Sequence, residues 1–341
     1  MNKLGLDASS PESVLLSTRR TLLAGMAGLT AASVLPRTAG AATSAKLPPA
    51  GPPTFYAFKI GTFDALSISD GALVLEPVFP AVGVNASEQD FDALAAQRYL
   101  DPRRATLHMN HLLVNTGRNL VLVDPGGTTA LGPHMGALPA NLKAAGVDPR
   151  DIDTVIISHA HPDHILATTD AGGKLAFPNA DFYIGDAEWA FWTQDSPDLS
   201  GLGFPDDFKK FAIAAAKGSL SAIGDRMQMI NGDSEIVPGI HSMRTPGHTP
   251  GHLSLVISDG NETLIHTTDV VHHSVTALAH PEWQPIFDQD PPQAVATRMK
   301  LLDQLATDRT LTMVYHFPYP GIGHVSRRIE GFNWEPMIWT W

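Results

Sequence analysis

Cysteine is absent from the sequence, so no disulfide braces the chain and no thiolate can serve as metal ligand or nucleophile. Any metal must be held by His, Asp and Glu. Basic residues are also scarce, 23 Lys and Arg against 35 Asp and Glu for a net charge of −12, and they form no stripe. Nucleic acid is therefore a poor partner, because phosphate binding needs concentrated Lys and Arg, and a small-molecule substrate fits better. No apolar run reaches the ~20 residues of a spanning helix. There is no internal repeat and only one Pro-rich linker, which argues for one folded domain.

The first forty residues have their own character. Ser17-Thr18-Arg19-Arg20-Thr21-Leu22-Leu23 leads into an apolar stretch from Leu22 to Leu35 that is rich in small residues, followed by Ala39-Gly40-Ala41. This resembles a twin-arginine export signal with an A-x-A cleavage site over 1–41, and predicts a periplasmic or secreted protein with no membrane attachment after cleavage. Residues 42–53 (ATSAKLPPAGPP) read as a linker, and the folded domain is expected over 54–341.

Alternating apolar positions predict strands at Phe55–Ile60, Phe63–Ser69, Leu112–Asn115 and Leu120–Val123, a helix over Met135–Ala145, and a short buried strand Val155–Ile157. Further on, strands are expected at Phe182–Ile184, Met227–Ile230, His241–Arg244, Leu253–Ile257, Thr263–Thr267 and Leu311–Tyr315. Helices are expected from Asp163 and at Ala187–Trp192, Asp207–Lys217 and Gln293–Leu305. Two strand clusters, each followed by helices, suggest two facing sheets with helices outside.

The segment Ser158-His159-Ala160-His161-Pro162-Asp163-His164-Ile165 runs straight out of strand Val155–Ile157. Residues two apart share a face of an extended chain, so His159 and His161 can grip one ion, while Asp163 and His164, past Pro162, suit a second. Alone, the segment could equally be a capped helix start, since Asp near a helix N-terminus is stabilised by the dipole. Three other sites resolve the choice. Thr245-Pro246-Gly247-His248-Thr249-Pro250-Gly251-His252 places a histidine in a tight turn, Asp269 follows strand Thr263–Thr267, and His316 follows strand Leu311–Tyr315. All fall at or just past strand ends.

This ordered set, H-x-H-x-D-H, then T-P-G-H-T-P-G-H, then Asp, then His, resembles the metallo-β-lactamase superfamily. The resemblance implies an α/β (α+β) fold, the four-layer αββα sandwich. It implies that His159, His161 and His248 hold one divalent metal, that Asp163, His164 and His316 hold another, and that Asp269 bridges them. Asp124, in Leu122-Val123-Asp124-Pro125-Gly126-Gly127, matches the supporting aspartate of the superfamily. Zinc is the expected metal, with manganese, cobalt or iron as alternatives.

Within the superfamily, the absence of cysteine and the presence of Asp269 lead away from true β-lactamases. Pro281-Glu282-Trp283, Phe287-Asp288-Gln289-Asp290 and the tail from His316 to His324 resemble methyl parathion hydrolase and its lactonase-like relatives, in which dimers are common. The implied activity is hydrolysis of an ester, lactone or phosphotriester by hydroxide shared between two metals, with Asp269 and Asp163 catalytic and Asp163 the proton carrier. The rivals are a β-lactamase, an iron-dependent oxidoreductase on the same ligands, and a metal-binding protein without turnover. His272 and His324 are expected near the ligand loops, His252 as a structural member of its turn, and Trp189 and Trp192 as candidate walls of an apolar pocket shaped by loops 76–104 and 194–206.

Overall fold

A computed structural model describes residues 54–339; the expected export signal and linker lie outside the described residues. Among the described residues, fourteen strands form two seven-stranded sheets. The first contains β1 (Phe55–Ile60), β2 (Phe63–Leu75), β3 (Ala105–Asn115), β4 (Leu120–Val123), β5 (Thr154–Ile157), β6 (Asp181–Gly185) and β7 (Met227–Ile230), in sequence order. The second contains β8 (Glu235–Val237), β9 (Ile240–Arg244), β10 (Leu253–Asp259), β11 (Glu262–His266), β12 (Leu311–Met313), β13 (Ile322–Arg327) and β14 (Phe332–Pro336), again in order. Pairing is antiparallel along β1–β4 and parallel along β4–β7, and β11–β12 is the parallel pair of the second sheet.

The period-2 alternation of the strands decides the layers. Leu112, Val114, Val121, Val123 and Ile156 meet Leu255, Ile257, Leu264 and Met313 between the sheets. Leu113, Leu122, Val155 and Ile157 point the other way, against Leu138 and Leu142 of α2 (Leu138–Ala144) and Ala212, Ala216 and Leu220 of α5 (Asp206–Ile223). On the far side, Ile265 packs on Leu301, Leu302 and Leu305 of α7 (Pro291–Asp308). The short helices α1 (Glu88–Gln97), α3 (Pro162–Ile165), α4 (Asp186–Trp192) and α6 (Thr276–Ala279) complete an αββα sandwich, the fold expected from the sequence.

Several boundaries differ from the sequence reading for local reasons. The predicted helix Met135–Ala145 begins only at Leu138, because Gly136 adopts a positive φ of 84° and Met135 bridges to Gly71 instead. Strand β2 continues past Ser69 through a bulge at Asp70, which turns its last residues toward the site. Strand β12 stops at Met313 rather than Tyr315, and β8, β13 and β14 were not anticipated.

Candidate metal centre

The candidate residues cluster beyond the C-terminal ends of β4, β5, β9, β11 and β12. His161 is the N-cap of α3, with Pro162 in the first turn, where its missing N–H loses nothing. That abrupt change from extended chain to helix aims His159 and His161 one way and Asp163 and His164 another.

Three groups of possible ligand atoms result among the described residues; two of them, His159–His161–His248 and Asp163–His164–Asp269–His316, match the expected sets, and the third, His248–His272–Asp288, shares His248 with the first. In the first, His248 Nε2 lies 2.9 Å from His161 Nδ1 and 3.2 Å from His159 Nε2. In the second, His316 Nε2 is 3.0 Å from Asp269 Oδ2, and His164 Nε2 is 3.3 Å from both Asp163 Oδ2 and Asp269 Oδ1. Asp269 sits in the turn Thr268–Val270 after β11. Its Oδ2 also stands 3.4 Å from His248 Nε2 and 3.8 Å from His159 Nε2, so this one carboxylate faces both groups.

Electrostatics separate the groups. Burial, with the charge of His164 added, holds His159 well below the usual imidazole range, burial and His248 do the same to His161, and burial brings His248 down to about 4. These rings are neutral and present lone pairs at neutral pH. Burial also opposes charge on His164 and His316, but it is outweighed: Asp269, Asp163 and Asp124 push His164 well up, and Asp269 and Asp163 push His316 up. Although burial disfavours their charge, His316 and His164 hold Asp269 well below the carboxylate range, and His164 and His316 do the same for Asp163.

Several ligands are oriented from behind. Asp124, whose backbone is left-handed at φ 62°, accepts the Ser158 N–H at 2.7 Å and the Ser158 hydroxyl at 2.8 Å, and pairs with His164 Nδ1 at 2.8 Å. His316 Nδ1 donates to the His108 carbonyl at 3.1 Å. His248 Nδ1 meets Asp288 Oδ1 at 3.1 Å, and the buried Arg298 donates to Asp288 Oδ2 at 2.7 Å while also holding the carbonyls of Val270, Pro281 and Trp283. The Tyr315 hydroxyl donates to the Asp163 carbonyl at 2.9 Å and lies 3.0 Å from His111 Nε2.

The donor set fits two divalent cations. His164 Nε2, Asp269 Oδ1 and His272 Nε2 are buried without a hydrogen-bond partner, an arrangement that is unfavourable unless something else satisfies them. Nitrogen and carboxylate oxygen together suit a borderline divalent ion.

The remaining expectations divide. His272 lies at the site, its Nε2 3.4 Å from Asp269 Oδ2. His252 is buried and bonds Thr245 within its turn, but its Nε2 also accepts the Asp269 N–H at 3.1 Å, so its role reaches beyond the turn. His324 is exposed on β13 opposite Glu335 and takes no part in the cluster. Trp189 and Trp192 do not wall the cleft above the ligands: Trp192 is fully buried, edge-on to His161 at 5.9 Å, and Trp189 packs against the same core. The cleft, about 220 Å³, is lined instead by Leu73, Leu75, Leu107, Phe204, Phe208 and Phe287 beside the ligands. Segment 194–206 contributes to it, whereas 76–104 does not.

Glu188, on α4, carries no local motif that marks it in the sequence. It is completely buried, and burial pushes its carboxyl up against the four hydrogen bonds it accepts. Its partners lie 4 to 63 residues away along the chain, beyond any local motif.

Comparison with known proteins agrees with this geometry. Residues 109–316 match the family model described as the Metallo-beta-lactamase superfamily. Among solved structures, AidC, described as a dizinc quorum-quenching lactonase in complex with a product, is 30% identical with a TM-score of 0.80, covering 84% of this chain and 98% of that one. The hydrolase AbOPH, described as in the beta lactamase superfamily, is 27% identical with a TM-score of 0.76 over the same shares. An N-acyl homoserine lactonase of Bacillus sp is 34% identical over 116 residues, 34% of this chain and 37% of that protein. For the lactonase of Bacillus thuringiensis the figures are 27% over 176 residues, 51% and 60%. The chain thus spans between about a third and three fifths of the length of these curated relatives.

Proposed function

The chain belongs to the metallo-beta-lactamase superfamily, and on that footing we propose that it is an exported two-metal hydrolase whose substrates are N-acyl homoserine lactones and other neutral esters. The reading rests on one observation above all: two ligand groups meet at Asp269 and open onto a cleft whose other lining residues, His272 apart, are apolar. No Lys or Arg lines that cleft among the described residues, so its wall offers an anionic substrate no counter-charge away from the ligand groups. A neutral head with an apolar tail suits it, and the lactonase descriptions of the relatives point the same way.

In this reading His159, His161 and His248 hold one ion, Asp163, His164 and His316 the other, and Asp269 faces both. Two divalent ions, zinc by analogy with the dizinc relative, would lower the pKa of a water and polarise the electrophile. The protein supplies the rest. The cleft leucines and phenylalanines seat the acyl chain and exclude bulk water. Asp163, whose side chain is 15% exposed against 3% for Asp269, lines the cleft and is placed to take up the proton that the attacking water gives up and to pass it to the departing alkoxide, which leaves poorly without one. The twin-arginine pattern at Arg19-Arg20 supports export, and a chain without cysteine needs no oxidative folding after it.

Phe204, Phe208 and Phe287 favour a second reading, because an aromatic wall also suits the aryl group of a phosphotriester. A single panel tests both: N-hexanoyl homoserine lactone, phenyl acetate, methyl paraoxon and a cephalosporin, with metal content measured on the same preparation and the precursor followed by cell fractionation. Lactone preference with two metals per chain is expected. Dominant paraoxon turnover would move the assignment to phosphotriesters, and dominant cephalosporin turnover would overturn it.

A further inference from the structure

Glu188 accepts two hydrogen bonds on each oxygen. Oε1 takes the Ala160 N–H at 2.9 Å and the Trp192 indole N–H at 2.7 Å. Oε2 takes the Thr249 hydroxyl at 2.6 Å and the Gly251 N–H at 3.0 Å. Ala160 lies between His159 and His161, and Thr249 follows His248. One carboxylate therefore ties together the two chain segments that carry the three converging imidazoles. The approach is close: a Cβ on Gly251 would lie 2.0 Å from the Glu188 nitrogen, so only glycine allows the turn to reach α4.

Packing alone does not account for a glutamate here. A buried carboxylate without a cationic partner is unfavourable against an apolar residue of similar size unless its hydrogen bonds repay the lost hydration, and no Lys, Arg or His pairs with Glu188 among the described residues. All four of its partners are donors, which matches a group that accepts only. An amide of the same shape would turn an NH2 against two of them.

We infer that Glu188 is the positioning residue of the three-histidine group, clamping the His159–His161 segment against the His248 turn so that the three nitrogens converge. It acts on those imidazoles through Ala160, Thr249 and Gly251, and touches neither substrate nor metal. This rests on the two-metal reading above.

The test is zinc binding by the full chain, using chelator competition together with imidazole ¹⁵N resonances, and thermal melts of the metal-free protein. In Glu188→Gln, the equivalent held by His159, His161 and His248 is expected to weaken by roughly 10–100-fold, the range for groups that orient metal ligands. The zinc-dependent shifts of His164 and His316 should persist. Thr249→Val, which removes one of the four bonds, should weaken the same equivalent several-fold and decides the matter if Glu188→Gln does not fold. Unchanged zinc affinity in a folded Glu188→Gln, or in Thr249→Val if that is the variant tested, would overturn the proposal even if the melting temperature fell. A wild-type chain that binds no zinc would instead overturn the two-metal reading, and this proposal with it.

Discussion

The two halves of the centre are built on opposite principles. His159, His161 and His248 are neutral rings, brought down by burial, whose nitrogens approach within 2.9 to 3.2 Å. Asp163, His164, Asp269 and His316 form a charged group in which carboxylates and imidazoles stabilise one another's ionised forms. In the first half the residues offer a cation lone pairs; in the second a cation would take the place of protons. The supports differ accordingly: Asp124 faces a charged ring directly, whereas Glu188 and the Asp288–Arg298 pair hold chain segments and one neutral ring in place. The difference shows that one fold can prepare adjacent sites by either geometry or charge.

The change that should damage both halves is Asp269→Ala, because Asp269 alone faces every ligand group. A loss of at least one metal equivalent and a fall in kcat/KM exceeding the ~100-fold limit typical of supporting residues are expected, with circular dichroism unchanged. A variant that kept two metals and full rate would break the comparison. Asp124→Asn and Asp288→Asn should separate the halves. Asp124→Asn should weaken the His164-containing equivalent by roughly 10–100-fold, and Asp288→Asn the His248-containing one. They should also differ in stability: Asp288→Asn leaves the buried Arg298 without its carboxylate and should destabilise by about 3–5 kcal/mol, read from denaturant titration.

How far the sequence foretold this centre follows from the range of each contact. His159, His161, Asp163 and His164 were legible because their ligand geometry is encoded in adjacent residues after one buried strand. Asp269 and His316 required the family resemblance, since nothing local distinguishes an aspartate or histidine after a strand. Glu188 and Arg298 were not legible: their partners come from distant segments, and a lone charged residue in a helix reads as surface. The aromatic wall was misplaced because Trp189, Trp192, Phe204 and Phe208 all lie in or beside helices, and spacing along a helix does not say which of its faces meets the cleft. Strand β13 is hidden in the sequence because Gly321-Ile322-Gly323 reads as the end of a ligand loop.

Neutral imidazoles extend beyond the first half, which sharpens the contrast in another way. His111, His266 and His273 are each brought down to about 4 by burial, while unfolded they titrate near 6.5. A depressed folded value means stability is fully present above pH 6.5 and is lost as the pH falls toward 4, because the unfolded chain binds the proton first. Each such ring steepens the loss by up to about 1.4 kcal/mol per pH unit. Denaturant titrations of the metal-free chain between pH 7 and 4 should show this, and His273→Gln should flatten the slope. A stability independent of pH over that window would contradict the assignment of neutral rings.

The smallest effects belong to two histidines outside the ligand set, His252, expected as a structural member of its turn, and His324, expected near the ligand loops. His252 is buried and its Nε2 receives the Asp269 N–H and approaches the Thr268 hydroxyl at 2.8 Å, so it fixes the backbone on which the shared carboxylate stands. His252→Gln keeps one polar end and loses the other, and should lower stability by about 1–3 kcal/mol with both metal equivalents retained and turnover reduced less than in Asp269→Ala. His324 is exposed on β13, its strand partner is Glu335, and its neighbours Ala306 and Arg309 lie on the α7 side of the second sheet. No hydrogen bond or ion pair among the described residues joins it to either half, so His324→Ala should leave metal content and kcat/KM unchanged and move stability by less than about 0.5 kcal/mol. Equal damage from the two substitutions would mean that distance from Asp269 does not govern the outcome, and the division of the centre into a lone-pair half and a charge half would lose its bridge.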